Sequence, residues 1–253
     1  MASPLLRLQG VSKSFGGLAA VRDVSLELPA GSLSALIGPN GAGKTTLFAL
    51  MSGFIRPDAG RIEFDGADIT GQPPHLNARR GMTRTFQIVQ PFAAQTVREN
   101  IAVGAHLHCA GRQKALDEAE IVAQRVGLAH QLDKPAGDLT VAGRKRLELA
   151  RTLATRPRLL LLDEVLAGLN PQEVADMVPV VRDIAAGGVT VLMIEHVMQA
   201  VMNLAGKVWV LAQGQLIASG TPSEVTRDPA VIEAYLGHGT AQRLRRAAAQ
   251  EAT

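Results

Sequence analysis

The chain has 253 residues, 47% of them hydrophobic and 19% charged, a globular composition that excludes global disorder. One cysteine, Cys109, excludes an intrachain disulfide framework and suits a reducing compartment. Lys and Arg number 26 against 23 Asp and Glu, and the net charge of +3, with aromatics at 3%, is neither the electrostatic footprint nor the stacking surface of a nucleic-acid binder.

In chain order, residues 5–8 and 23–28 alternate apolar with polar, as half-buried strands do. Residues 29–31 form a turn, and 33–37 are an apolar run broken only by Ser34, the mark of a strand covered on both faces. A glycine-rich loop follows, then a helix over 44–51, a strand over 61–64 and a turn at Asp65-Gly66. From about 88 to 155 the spacing turns helical, with Leu116, Ala119, Val122 and Val126 on one face of 111–132 and a second helix at 147–153. The second half alternates strand 159–162, helix 171–185, strand 189–194, helix 196–204 and strand 207–211. That order predicts a parallel α/β sheet. The residues after 237, rich in Ala, Gln and Arg, read as an exposed helix or frayed end. The apolar runs fall far short of the roughly 20 residues that cross a bilayer, and residues 1–8 lack the pattern of a signal peptide. The expectation is a soluble chain whose membrane role, if it has one, comes through a partner.

The strongest chemical signal is Gly38-Pro39-Asn40-Gly41-Ala42-Gly43-Lys44-Thr45, set between a buried strand and a helix. Glycines let the backbone curl with its N–H groups inward, a nest for anionic oxygens, and the helix N-terminus adds to the attraction. Lys44 reaches the β- and γ-phosphates and the Thr45 hydroxyl ligates Mg²⁺. Leu159-Leu160-Leu161-Leu162-Asp163-Glu164 is the second signal: a buried strand carrying two acids to its C-terminal edge, where α/β sheets bind ligands. Asp163 helps hold Mg²⁺, and Glu164 faces the γ-phosphate and polarises an attacking water.

With these motifs in this order, residues 5–237 resemble the ATP-binding cassette ATPases. The resemblance implies a P-loop NTPase (RecA-like) α/β core at about 5–87 and 157–237, with an N-terminal antiparallel β subdomain. It also implies a helical subdomain at about 88–156 and a tail at 238–253. Phe15 matches the aromatic that stacks on adenine, Thr46 extends the phosphate loop, and Gln87 in Thr85-Phe86-Gln87 matches the glutamine that senses Mg²⁺ and the γ-phosphate. Ala167-Gly168-Leu169-Asn170 matches the D-loop, with Asn where many members have Asp, and His196 matches the switch histidine beside Glu164. The family's signature, usually L-S-G-G-Q, aligns with Leu139-Thr140-Val141-Ala142-Gly143. Thr140 keeps a hydroxyl, Ala142 adds a methyl, and Gly143 loses the glutamine. Since that segment acts in trans on ATP held by a partner, the resemblance implies a heterodimer with two unequal ATP sites, with a homodimer left open.

Ser12 to Val21, Gly81-Met82-Thr83-Arg84-Thr85-Phe86-Gln87 and the stretch from Gly214 to Leu236 are similar to the ATPases of branched-chain amino-acid importers. Those work on the cytoplasmic face of the cell membrane with a second ATPase, two permease subunits and a solute-binding protein. Importers of urea, amides or other small solutes remain open, as do a soluble cassette acting on nucleic acid or ribosomes and a regulatory subunit of weak turnover. His106, His108 and Cys109 read as lobe surface rather than a metal site.

Overall fold

The computed structural model describes residues 3–236, so the expected tail lies outside the described residues. The chain opens with β1 (Leu6–Phe15) and β2 (Leu18–Leu28), an antiparallel pair. Alternation marked only one end of each strand, because register shifts at Leu8/Val11, Val11/Lys13 and Lys13/Ser14 break the two-residue period between them. Then come β3 (Leu33–Ile37), α1 (Lys44–Ser52), β4 (Ala59–Phe64) and the short β5 (Ala67–Asp68). The helix α2 (Pro74–Arg79) and strand β6 (Met82–Arg84) carry no clear period in the sequence and were not anticipated.

Three helices occupy the middle of the chain: α3 (Val97–Ala105), α4 (Arg112–Arg125) and α5 (Val141–Leu153). A capping box between Thr96 and Glu99 starts α3. The helix expected through residue 132 stops at Arg125, because Gly127 takes φ 75° and ends it; a single 3₁₀ turn follows at Ala129–Gln131. In the other direction, α5 begins six residues earlier than expected. Thr140 Oγ1 accepts the Gly143 N–H at 3.1 Å and caps it.

The second half runs β7 (Leu159–Asp163), α6 (Pro171–Ala186), β8 (Thr190–Ile194), α7 (Met198–Leu204), β9 (Lys207–Ala212), β10 (Gln215–Gly220), α8 (Pro222–Val225) and α9 (Pro229–Leu236). Since α7 begins at Met198, His196 stands in the loop after β8 rather than on a helix.

Two sheets result. One is β2-β1-β4-β5, antiparallel; the other is β10-β9-β3-β8-β7-β6, parallel except for the antiparallel pairing of β10 with β9. The six-stranded sheet is covered on both faces, which is why β7 is four consecutive leucines. Leu160 and Leu162 pack into one cluster with helical residues such as Ile101, Leu147 and Val181. Leu159 and Leu161 enter another with Phe48 of α1 and with Leu6, Ile62 and Phe64 of the first sheet. Each leucine so buried contributes roughly 1.5–3 kcal/mol. The strands β3, β8 and β7 are neighbours and parallel. Their C-terminal ends therefore open on one edge, and the loops leaving them carry the phosphate loop, His196 and the Asp163-Glu164 pair.

Candidate nucleotide-binding site

The loop from β3 to α1 runs where only glycine fits at two points. A Cβ on Gly38 (φ 154°) would stand 2.0 Å from the Leu211 carbonyl oxygen, and one on Gly43 (φ 102°) 2.3 Å from that of Ala20. Gly43 is also the N-cap of α1 and supplies no side-chain cap, so the first N–H groups of the helix face the loop. Lys44 is buried; its Nζ donates to the carbonyls of Gly38 at 2.7 Å and Pro39 at 3.0 Å. Burial pulls its pKa down, while the charges of Glu164 and Asp163 work in the opposite direction.

Glu164 has a left-handed backbone, φ 50°, and its N–H donates to the Ile194 carbonyl at 3.0 Å. Two side chains hold its carboxylate. His196 Nε2–H donates to Oε1 at 2.8 Å, and Gln87 Nε2 donates to Oε2 at 2.7 Å. A carboxylate has no proton to give, so the imidazole proton sits on Nε2 in this contact. Glu164, His196, Gln87 and residues 40–46 of the phosphate loop line one cavity of about 580 Å³, with Phe15 at its rim. Phe15 is 48% exposed, so it is not a core residue, and Lys13 Nζ lies 5.6 Å from its ring centroid.

Thr45, Gln87 and Asp163 border a second cavity of about 550 Å³ that shares Thr45 and Gln87 with the first. Asp163 is buried. Its Oδ2 accepts from Arg84 Nη2 at 2.6 Å, while its Oδ1 is buried with no hydrogen-bond partner. A hydroxyl, a carboxamide and a carboxylate with an unspent buried oxygen are the hard donors that Mg²⁺ prefers, and a set this sparse suits an ion that keeps waters and substrate phosphates. The residues fit that ion.

The segment Thr140, Val141, Ala142 and Gly143 stands apart: none of the four lines the cavity of Lys44 and Glu164. Thr140 and Val141 are exposed, whereas Gly143 is buried against Leu139 and Thr140, where a Cβ would meet three atoms at 3.3–3.4 Å. The departure from the usual glutamine at 143 thus sits in a tight turn of the helix.

Three residues with buried side chains near the site receive no role from the sequence: Arg84, Lys145 and Glu195. Arg84 Cζ lies 5.9 Å from the centroid of Phe48 and 5.6 Å from that of Phe86. Glu195 is 2% exposed and its Oε1 accepts the Leu166 N–H at 3.0 Å. Burial pushes its pKa up from 4.5 to about 7, with the nearby Glu164 charge acting the same way. Between those two values the folded chain keeps a proton that the unfolded chain has released. The resulting stabilisation is complete below pH 4.5 and is lost as pH rises through 7, on the order of 3 kcal/mol in all. Thermal melts at pH 5 and pH 8 are therefore expected to show a larger drop for the parent than for Glu195→Gln, whose amide keeps the acceptor without the charge. Equal drops would refute the assignment.

The six-stranded order, the loop after β3 and the acids after β7 define a P-loop nucleotide-binding domain with the architecture of an ATP-binding cassette. Comparison with known proteins agrees. The ABC transporter family matches residues 21–167, and the branched-chain amino acid ATP-binding cassette transporter family matches residues 215–241. The chain belongs to the ATP-binding cassette family of ABC transporters. It is 40% identical to the high-affinity branched-chain amino acid transport ATP-binding protein BraF of Pseudomonas aeruginosa, over 94% of this chain and 99% of that protein. It is 38% identical to the corresponding protein LivG of Escherichia coli, with the same coverage. Among solved structures, a nucleotide-free ATP-binding cassette from an ABC transporter superposes with a TM-score of 0.85 at 32% identity, over 93% of this chain and all of that one. A cassette in its ADP conformation gives 0.85 at 32% identity, over 94% and 100%.

Proposed function

We propose that this chain is the ATP-hydrolysing subunit of an ABC importer that takes up a branched-chain amino acid or a similar small polar solute. The observation that carries the hydrolytic reading is Glu164, held by His196 and Gln87 at the cavity that the phosphate loop lines. The solute reading is supported by the relatives' function and by the match over residues 215–241. The working division is a core at about 5–87 and 157–237 around a helical lobe at 88–156.

Residues 38–46 and Lys44 bind the triphosphate, and Phe15 offers its exposed face to the base. Thr45, Gln87 and Asp163 would hold Mg²⁺, which when bound neutralises charge on the β- and γ-phosphates. Glu164 accepts a proton from the attacking water, and His196 keeps its carboxylate aimed. Thr140 to Gly143, away from this cavity, act on the ATP of a second cassette, and the weakened segment favours a heterodimer. Among the described residues no helix is long and apolar enough to cross a membrane. Two permease subunits would supply the pore, a solute-binding protein the selectivity, and the chain would sit on the cytoplasmic face. An exposed groove bordered by α2, α3 and α5, with aromatic and polar residues in its lining, suits the permease contact. Phe54 and Phe86 meet edge to face at 5.5 Å there, beside Val103, and are about half exposed.

Glu164→Gln is expected to cut phosphate release at least about 100-fold while leaving ATP affinity within about twofold, the behaviour of a lost general base. The matching change in the partner cassette is expected to cost a different factor, because the two sites receive unequal signature segments. Full turnover in Glu164→Gln would overturn the hydrolytic assignment, and equal losses in the two subunits would remove the asymmetry.

A further inference from the structure

The steps above leave two buried cations unused, and of these Arg84 is already paired with Asp163 while Lys145, among the described residues, is not paired with an acid. Lys145 lies in α5, five residues beyond the Thr140 cap, between Arg144 and Arg146. It is 7% exposed, and among the described residues no salt bridge holds it. Its Nζ donates instead to two backbone carbonyls, that of Glu164 at 2.9 Å and that of Gln87 at 3.3 Å. An ammonium out of water is costly unless donated bonds offset it. Both acceptors belong to the residues whose side chains meet in the cavity, and they come from separate segments, 19 and 58 residues away in the chain. The Glu164 turn is left-handed, so its aim depends on how its peptide groups are held. Its N–H is tied to the end of β8 through Ile194, and its carbonyl also accepts the Ala167 N–H at 3.2 Å. Lys145 is the tie that comes from the helical lobe.

We infer that Lys145 is a positioning residue for Glu164 and Gln87. One ammonium fixes the backbone of the proton acceptor and of the glutamine that touches it, and ties both to the helix whose first turn is Val141 to Gly143. Displacement of α5 pulls on Glu164 directly. The inference rests on the hydrolytic reading above, since it assigns to Lys145 the aim of that carboxylate.

The test uses the full chain with the transporter subunits that co-purify with it. Nucleotide affinity, Mg²⁺-dependent phosphate release per bound nucleotide, and melting temperature are measured for each variant. Lys145→Met keeps an unbranched stem of nearly the same length and drops the ammonium. It is expected to lower kcat about tenfold or more with ATP Kd and KM within about twofold of the parent, because misaimed chemistry costs rate rather than binding. Lys145→Arg, which keeps a charged multiple donor, is expected to recover most of that loss. If Lys145→Met does not fold, Lys145→Gln is read against Lys145→Arg in the same way. Turnover of Lys145→Met or Lys145→Gln within twofold of an active parent overturns the inference alone. So does a fall in kcat that Lys145→Arg shares in full and that tracks melting temperature, since that is a structural effect. A parent without Mg²⁺-dependent hydrolysis overturns the hydrolytic reading, and this inference with it.

Discussion

Lys44→Ala is expected to abolish ATP hydrolysis by the full chain. The parent ammonium is buried and held by the Gly38 and Pro39 carbonyls, inside the loop that leads into α1. Burial lowers its pKa, which measures the cost of keeping a cation there, and the acids Asp163 and Glu164 offset part of that cost. In a site closed to water a cation facing a polyphosphate is worth far more than on a surface, and loss of one such preorganised group costs about 100- to 1000-fold in rate. Alanine leaves the loop path intact, since Gly38 and Gly43 set it. Binding of a fluorescent ATP analogue and phosphate release are the measurements. Wild-type turnover in this variant would show that the loop does not hold the reacting triphosphate.

Arg84→Leu is expected to be the most destabilising single change near the site. The Arg84 and Asp163 side chains are 8% and 2% exposed and meet at 2.6 Å. Leucine retains contact with Phe48 and Phe86 but leaves a carboxylate buried without its cation. Breaking a buried pair from one side costs about 3–5 kcal/mol, which in a chain of this length lowers the melting temperature by about 10 °C. The double change Arg84→Leu with Asp163→Asn removes the stranded charge and is expected to recover a large part of the loss. An unchanged melting temperature for Arg84→Leu, or no recovery in the double variant, would refute the charge account and leave packing as the cause. Mg²⁺ with ATP is expected to protect Arg84→Leu more than the parent, because the ion would supply the missing positive charge to Asp163.

Legibility followed the range of the physical signal. The strands β3, β7, β8 and β9 were readable as apolar runs, since burial on both faces removes polar positions. Helix α6 was readable from Pro171 onward because Pro at the first turn and Asn170 as cap are local signals. The start of α5 was misread because its first turn, Val141-Ala142-Gly143, carries no apolar stripe and declares itself only through the Thr140 cap. Strands β6 and β10 were missed because one has only three residues and the other is half-buried, so neither shows a period. Phe15 illustrates a limit of composition: aromatics usually pack inside, and only the fold leaves this ring half exposed at the cavity rim.

By itself the sequence determined the chemistry that is contiguous: the loop of residues 38–45, the acids that end a leucine strand, and the family to which their order points. Those features need only nearest neighbours along the chain, so their geometry follows from strand, glycine and helix propensities. The family resemblance already set His196 and Gln87 at the site of Glu164, but only the tertiary structure gave their contacts and brought Arg84 onto Asp163. Arg84 reaches Asp163 across 79 residues, Gln87 reaches Glu164 across 77, and His196 reaches Glu164 across 32. These pairings exist because β8, β7 and β6 lie side by side in parallel, an order set by packing the sheet between two hydrophobic layers rather than by any local pattern.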